Sequence, residues 1–137
     1  MKLTNKGRYA VMAMADLATN HNSKPVSLID ISLRQNISLS YLEQLFSKLK
    51  SEKLVKSARG SHGGYMLEKN PKDIKILNII KAVDEEVKTL KCKRESKKGC
   101  NGKNTKCITH NLWDDLERHI NSFFEKVNLE DLVDKKI

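Results

Sequence analysis

The chain has 137 residues, 26 Lys and Arg against 17 Asp and Glu for a net charge of +9, and 39% hydrophobic residues. This supports one modest core, or a small domain with an appendage, and excludes a disordered polyelectrolyte. The basic excess favours a polyanion such as DNA or RNA; no run of 18 apolar residues and no apolar leader at residues 1–6 make a membrane the weakest partner, and a cytoplasmic protein is expected.

Thr4 or Asn5 is placed to cap a first helix running to about Ala18. Ala10, Ala13, Met14 and Leu17 recur at helical spacing and Tyr9, Val11 and Met12 fill much of the remaining girth, the pattern of a central, buried helix. A second, short helix opens after Pro25 on a Ser27–Asp30 capping pair, turns Leu28 and Ile31 inward and stops near Asn36. After a turn at Asn36-Ile37-Ser38, a third helix starts between Ser38 and Ser40. It carries Leu42, Leu45, Phe46 and Leu49 on one face and Ser40, Glu43, Gln44, Ser47, Lys48 and Lys50 on the other. Two short helices joined by a tight turn, the second polar and basic outside, have the spacing of a helix-turn-helix. Residues 54–58 and 65–67 read as two strands around the glycine-rich tip Arg59-Gly60-Ser61-His62-Gly63-Gly64, which predicts a wing.

Beyond Pro71, Ile76, Ile79, Ile80 and Val83 mark another helix, ending in Asp84-Glu85-Glu86. Residues 88–110 then carry 8 Lys and Arg against one acid and hold all three cysteines, Cys92, Cys100 and Cys107, with His110 close behind. Glycine, asparagine and lysine make this stretch a loop, and a loop of that length in a compact domain needs something to order it. From His110 onward, Trp113, Leu116, Ile120, Phe123 and Val127 recur at three- and four-residue steps. This is a coiled-coil seam; about 18 residues at ~1.5 Å each give a rod of roughly 27 Å, long enough to pair with a copy of itself. The expected architecture is mainly α with a small β-wing: a winged helix-turn-helix over 1–87, a cluster-binding loop over 88–110, and a dimerisation helix with a C-terminal segment over 111–137.

Residues near the N-terminus of a helix in the major groove read base edges, which puts Ser40, Tyr41, Glu43 and Gln44 in the reading position and makes Lys48 and Lys50 phosphate candidates. Gln44 can pair with adenine and Glu43 can accept from cytosine N4, although Ser40-x-x-Glu43 equally fits a capping box that merely closes the helix. Arg59 is placed to enter a narrow minor groove.

In a reducing compartment an odd cysteine count argues against a disulfide framework. Three thiolates and an imidazole form a complete ligand set, and the surrounding lysines lower thiol pKa values. Gaps of seven and six residues lack the short knuckle of a zinc site and suit an iron-sulfur cluster, with zinc and unliganded redox thiols as alternatives. No nucleophile–base pair, phosphate loop or paired carboxylates point to an enzyme. An electron carrier is a further possibility, but it would leave the basic helix and wing without purpose.

Several stretches together carry a resemblance: Lys6-Gly7-Arg8-Tyr9-Ala10, Ile37-Ser38-Leu39-Ser40-Tyr41-Leu42-Glu43-Gln44-Leu45-Phe46, Arg59-Gly60, Gly63-Gly64-Tyr65, Ala82-Val83-Asp84-Glu85, and the cysteines followed by Thr109-His110-x-Leu112-Trp113. The chain resembles, nearly end to end, the bacterial winged-helix regulators of iron-sulfur cluster assembly. That resemblance implies a homodimer on a double-stranded DNA operator, holding a 2Fe-2S cluster through Cys92, Cys100, Cys107 and His110. It also implies repression of cluster-assembly genes when cluster is plentiful, cluster-donating assembly proteins as partners, and DNA contacts at Ser40, Glu43, Gln44 and Arg59. A nitric oxide- or cysteine-responsive member of the same family is the alternative. Ser61-His62 replaces the usual Pro-Gly of the wing, and the cysteine gaps exceed the usual five residues.

Overall fold

The computed structural model describes residues 4–20, 24–60, 63–85 and 108–137. Helix α1 (Asn5–Thr19) lies at the centre, with Ala10, Ala13, Met14 and Leu17 fully buried. These four face inward as expected, whereas Met12, read as part of the apolar girth, is exposed. Its start differs from expectation: the Thr4 side chain does not cap the helix, and the Thr4 backbone N–H and hydroxyl both donate to the Glu85 carboxylate. A carboxylate from distant sequence thus sits at the positive end of α1, where negative charge is favoured.

Helix α2 (Leu28–Gln35) starts at Ser27, whose hydroxyl accepts from the Asp30 N–H at 3.2 Å, and ends at Asn36 in the left-handed conformation (φ 54°, ψ 49°). Asparagine is among the few side chains that tolerate this geometry, which sets the tight turn into α3 (Leu39–Ser51). α3 buries Leu42, Leu45, Phe46 and Leu49, as its periodicity predicts. The α1–α2 junction is locked by a polar network. Asp16, 5% exposed, accepts from Arg34 Nε at 3.0 Å, Arg34 Nη2 at 2.8 Å and Gln35 Nε2 at 2.8 Å. Burial alone would raise the Asp16 pKa, but the Arg34 and Gln35 hydrogen bonds and the guanidinium charge outweigh it and hold the carboxyl below its ordinary value.

Strands β1 (Val55–Ala58) and β2 (Gly64–Leu67) pair antiparallel, Val55 opposite Leu67 and Ala58 opposite Gly64. The wing is anchored by a contact the sequence did not announce. Val26 and Tyr65 exchange backbone hydrogen bonds at 2.9 and 2.8 Å, adding a third extended segment to the hairpin. Gly64 makes this possible, because a Cβ there would lie 2.3 Å from the Val26 carbonyl oxygen.

A single 3-10 turn (Pro71–Asp73) leads to α4 (Ile76–Ala82), which buries Ile76, Ile79 and Ile80. α4 closes with Asp84 in the left-handed region at φ 60°. The Asp84 N–H donates to Lys81 O at 3.0 Å and the Glu85 N–H to Ile80 O at 3.2 Å, the paired closure of a Schellman motif with an aspartate where glycine is usual. Helix α5 (His110–Lys126) follows the expected bounds. It is succeeded by α6 (Leu129–Val133), too short to have been read as an element. Asn128 and Asp131 cap α6 reciprocally, and fully buried Leu129 joins the core beside Ile74, to whose carbonyl its N–H donates at 2.9 Å. No helix among the described residues is long and apolar enough to cross a membrane.

Candidate nucleic-acid interface and cysteine segment

With four apolar side chains of α3 turned into the core, its opposite face is fixed as the outer surface. At about 100° per residue, Ser40 and Ser47 lie at the centre of that surface, with Gln44 beside them. Tyr41 and Lys48 fall on one border, Glu43 and Lys50 on the other. Ser40, Glu43 and Gln44 are exposed, and among the described residues no hydrogen bond or ion pair engages their side chains. The capping-box alternative for Ser40 and Glu43 does not hold. The helix is capped two residues earlier, on Ser38, whose hydroxyl accepts from the Tyr41 N–H at 3.2 Å. Glu43 is therefore released from a capping duty and projects from the surface.

The borders are tied to different neighbours. Tyr41 is half-buried and packs edge-on against Tyr9 of α1, ring centroids 5.9 Å apart. Lys48 forms an ion pair with Asp84 at 3.0 Å. On the far border Lys50 Nζ donates to the Ser57 hydroxyl of β1 at 3.0 Å, which joins the helix to the wing. Arg59 is exposed directly after β1, and the tip beside it is closed by a Gly63 N–H to Gly60 O hydrogen bond of 3.0 Å. The surface thus runs from Tyr41 and Lys48 across Ser40 and Gln44 to Glu43, Lys50, Ser57 and Arg59. Sequence reasoning found its centre but missed Ser57 and Asp84, because both are brought to α3 by tertiary packing.

Of the four expected cluster ligands, Cys92, Cys100 and Cys107 lie outside the described residues. His110 is described: it is the first residue of α5 and is only 6% exposed. A buried imidazole at the exit of the cysteine segment suits a ligand role, and the three thiols with this ring remain chemically matched to a cluster or to zinc. His119, by contrast, is exposed and its Nδ1 lies 2.7 Å from the Asp115 carbonyl oxygen of its own helix.

The sequence pattern of the Rrf2 family, described as an iron-dependent transcriptional regulator, matches residues 3–135. The chain belongs to the Rrf2 family. Among its relatives, the HTH-type transcriptional regulator IscR of Aliivibrio salmonicida is 53% identical over 133 residues, covering 97% of this chain and 77% of the relative. The IscR of Yersinia pseudotuberculosis is 51% identical over 136 residues, covering 99% and 81%. Solved Rrf2-type structures agree in fold. CymR, the global cysteine regulator of B. subtilis, superposes with a TM-score of 0.82 at 31% identity, covering 98% of each chain. T. potens IscR gives 0.77 at 34% identity, covering all of this chain and 89% of its own. This Rrf2 protein is accordingly a winged-helix, DNA-binding transcription regulator and not an enzyme.

Proposed function

We propose that this Rrf2 regulator is a homodimer that reads its operator with α3 and the wing, and that its DNA affinity is governed by a 2Fe-2S cluster. Cys92, Cys100, Cys107 and His110 would hold the cluster, which when bound supplies a group whose presence depends on iron supply and redox conditions. The reading rests on one juxtaposition: His110 is buried at the head of the helix on which Leu112, Trp113, Leu116 and Phe123 are exposed, immediately after a segment holding every cysteine of the chain. The names of the IscR relatives support an iron-sulfur cluster as the signal.

In this reading Ser40 and Gln44 meet base edges, Lys48 and Lys50 meet phosphates, and Arg59 enters the minor groove. Glu43 supplies discrimination in either direction, accepting from a cytosine N4 or repelling a phosphate as α3 shifts. The second copy is supported by what α5 leaves uncovered. Leu112, Trp113, Leu116 and Phe123 remain exposed, beside an apolar cleft of about 500 Å³ lined by Val11, Met12, Ile76, Ile80, Phe123 and Phe124. Equivalent seams on two copies can cover one another in an isologous pair, placing two α3 helices ~34 Å apart, one turn of DNA. Cluster-donating assembly proteins are the partners this reading requires, in the cytoplasm.

The test is anaerobic purification followed by a visible spectrum and iron, sulfide and zinc counts. Visible charge-transfer bands with two irons and two sulfides per chain are expected, and their loss in Cys92→Ser should change operator affinity measured in parallel. A colourless, iron-free protein that binds its operator equally well after Cys92→Ser, Cys100→Ser and Cys107→Ser would overturn the cluster reading.

A further inference from the structure

We propose that Asp84 sets the specificity of DNA binding by acting as an internal stand-in for a DNA phosphate. Its carboxylate holds Lys48, a border cation of the reading helix, at 3.0 Å. The inference rests on α3 facing DNA and goes beyond the cluster reading, since it holds with or without a cluster.

The two lysines of the α3 surface differ in what they contact. Lys50 meets a neutral hydroxyl on Ser57 and keeps its full charge for a phosphate. Lys48 meets a carboxylate, so a phosphate can be neutralised by Lys48 only if it displaces Asp84. The pair is open to solvent, with side-chain exposures of 42% and 73%, and displacement needs no unfolding. Asp84 is held in place from both sides. Its backbone occupies the left-handed closure of α4, and the next residue, Glu85, is buried and receives the Thr4 N–H and hydroxyl. The carboxylate therefore stays near the reading helix at little further entropic cost.

Phosphate contacts add affinity to every sequence alike, whereas the contacts of Ser40, Glu43 and Gln44 distinguish sequences. A competitor for one phosphate-binding lysine weakens binding to random DNA. Where the operator complex positions a phosphate well enough to displace the carboxylate, specific binding loses less, and the ratio of specific to non-specific affinity rises.

Asp84→Asn is the informative variant, because asparagine keeps the left-handed backbone and removes only the charge. Affinity of the full chain for a random-sequence duplex, measured by fluorescence anisotropy across a potassium chloride series, should rise about two- to fivefold, within the range of an exposed ion pair. The log–log salt slope should steepen by about 0.9 per bound chain. In a Lys48→Met background the same substitution should change neither quantity. An unchanged affinity and slope in Asp84→Asn overturns the proposal, as does a gain that persists in Lys48→Met, which would reflect net charge alone. Lys50→Met separates this from the reading of α3: if it and Lys48→Met/Asp84→Asn both bind random DNA as wild type does, α3 does not face DNA and both ideas fall. If Lys50→Met weakens binding while Asp84→Asn is silent, only the role of Asp84 is lost.

Discussion

Helices α1 and α5 are similar in length, 15 and 17 residues, and opposite in what they bury. α1 turns Ala10, Ala13, Met14 and Leu17 into a core that leaves them no accessible surface. In α5 the buried residues are polar, His110 and Glu117, while Leu112, Trp113, Leu116 and Phe123 stay exposed. The inward face of the first helix is covered by its own chain. The second carries an apolar stripe of the kind that forms interfaces, and it stands next to the cysteine segment. Stability of the winged helix and assembly of the proposed dimer therefore fall to different helices.

Substitutions can break that contrast, and the largest effect is expected in the core. Phe46→Ala, from a fully buried site on α3, should lower unfolding free energy by about 3–5 kcal/mol in urea titrations, since the removed ring leaves a cavity. On α5, Leu116→Asp should leave the far-ultraviolet spectrum of the chain intact. It should weaken self-association by roughly a hundredfold, about 3 kcal/mol, in sedimentation equilibrium, because a charge would be buried in the pair. Equal loss of folding from both substitutions would erase the distinction between the helices.

Smaller effects sharpen the picture inside the winged helix. Arg34→Ala should cost about 2 kcal/mol, less than a fully buried pair, because Gln35 and Asn20 still donate to Asp16 and Arg34 is partly solvated. Gln44→Ala should reduce discrimination at one base pair by about 1–2 kcal/mol with no change in salt slope, as measured on single-base operator variants. The smallest effect is in pH dependence. The Asp16 pKa is depressed on folding, so its contribution is present above the ordinary aspartate value and lost as pH falls through the folded-state value. Wild type should lose stability below about pH 4 more steeply than Asp16→Asn, compared by urea midpoints.

The inward face of α3 was legible because periodicity follows directly from helix geometry, and the wing because a glycine-rich tip separates its two strands. The start of α3 was not, since Ser38 and Ser40 are both competent caps and only the backbone decides between them. Lys48 looked like a free phosphate ligand. Its partner is 36 positions away and reaches it through the closure of α4, a relation no local pattern contains. α6 was missed because five residues carry too little periodicity, although Asn128 and Asp131 form a recognisable reciprocal cap. The cysteines point to a ligand set only by number and neighbourhood. Their geometry lies outside the described residues, and only the buried position of His110 adds to what spacing implied.

The Val26–Tyr65 bridge has a kinetic consequence. Two four-residue strands do not persist alone in water. The hairpin therefore depends for its order on the core that takes up Val55 and Leu67 and on Val26, which precedes α2 and α3 in the chain. The wing should acquire amide protection late in refolding and surrender it early under mild denaturant, so it would be the first part of the candidate DNA surface to fray while the helices persist.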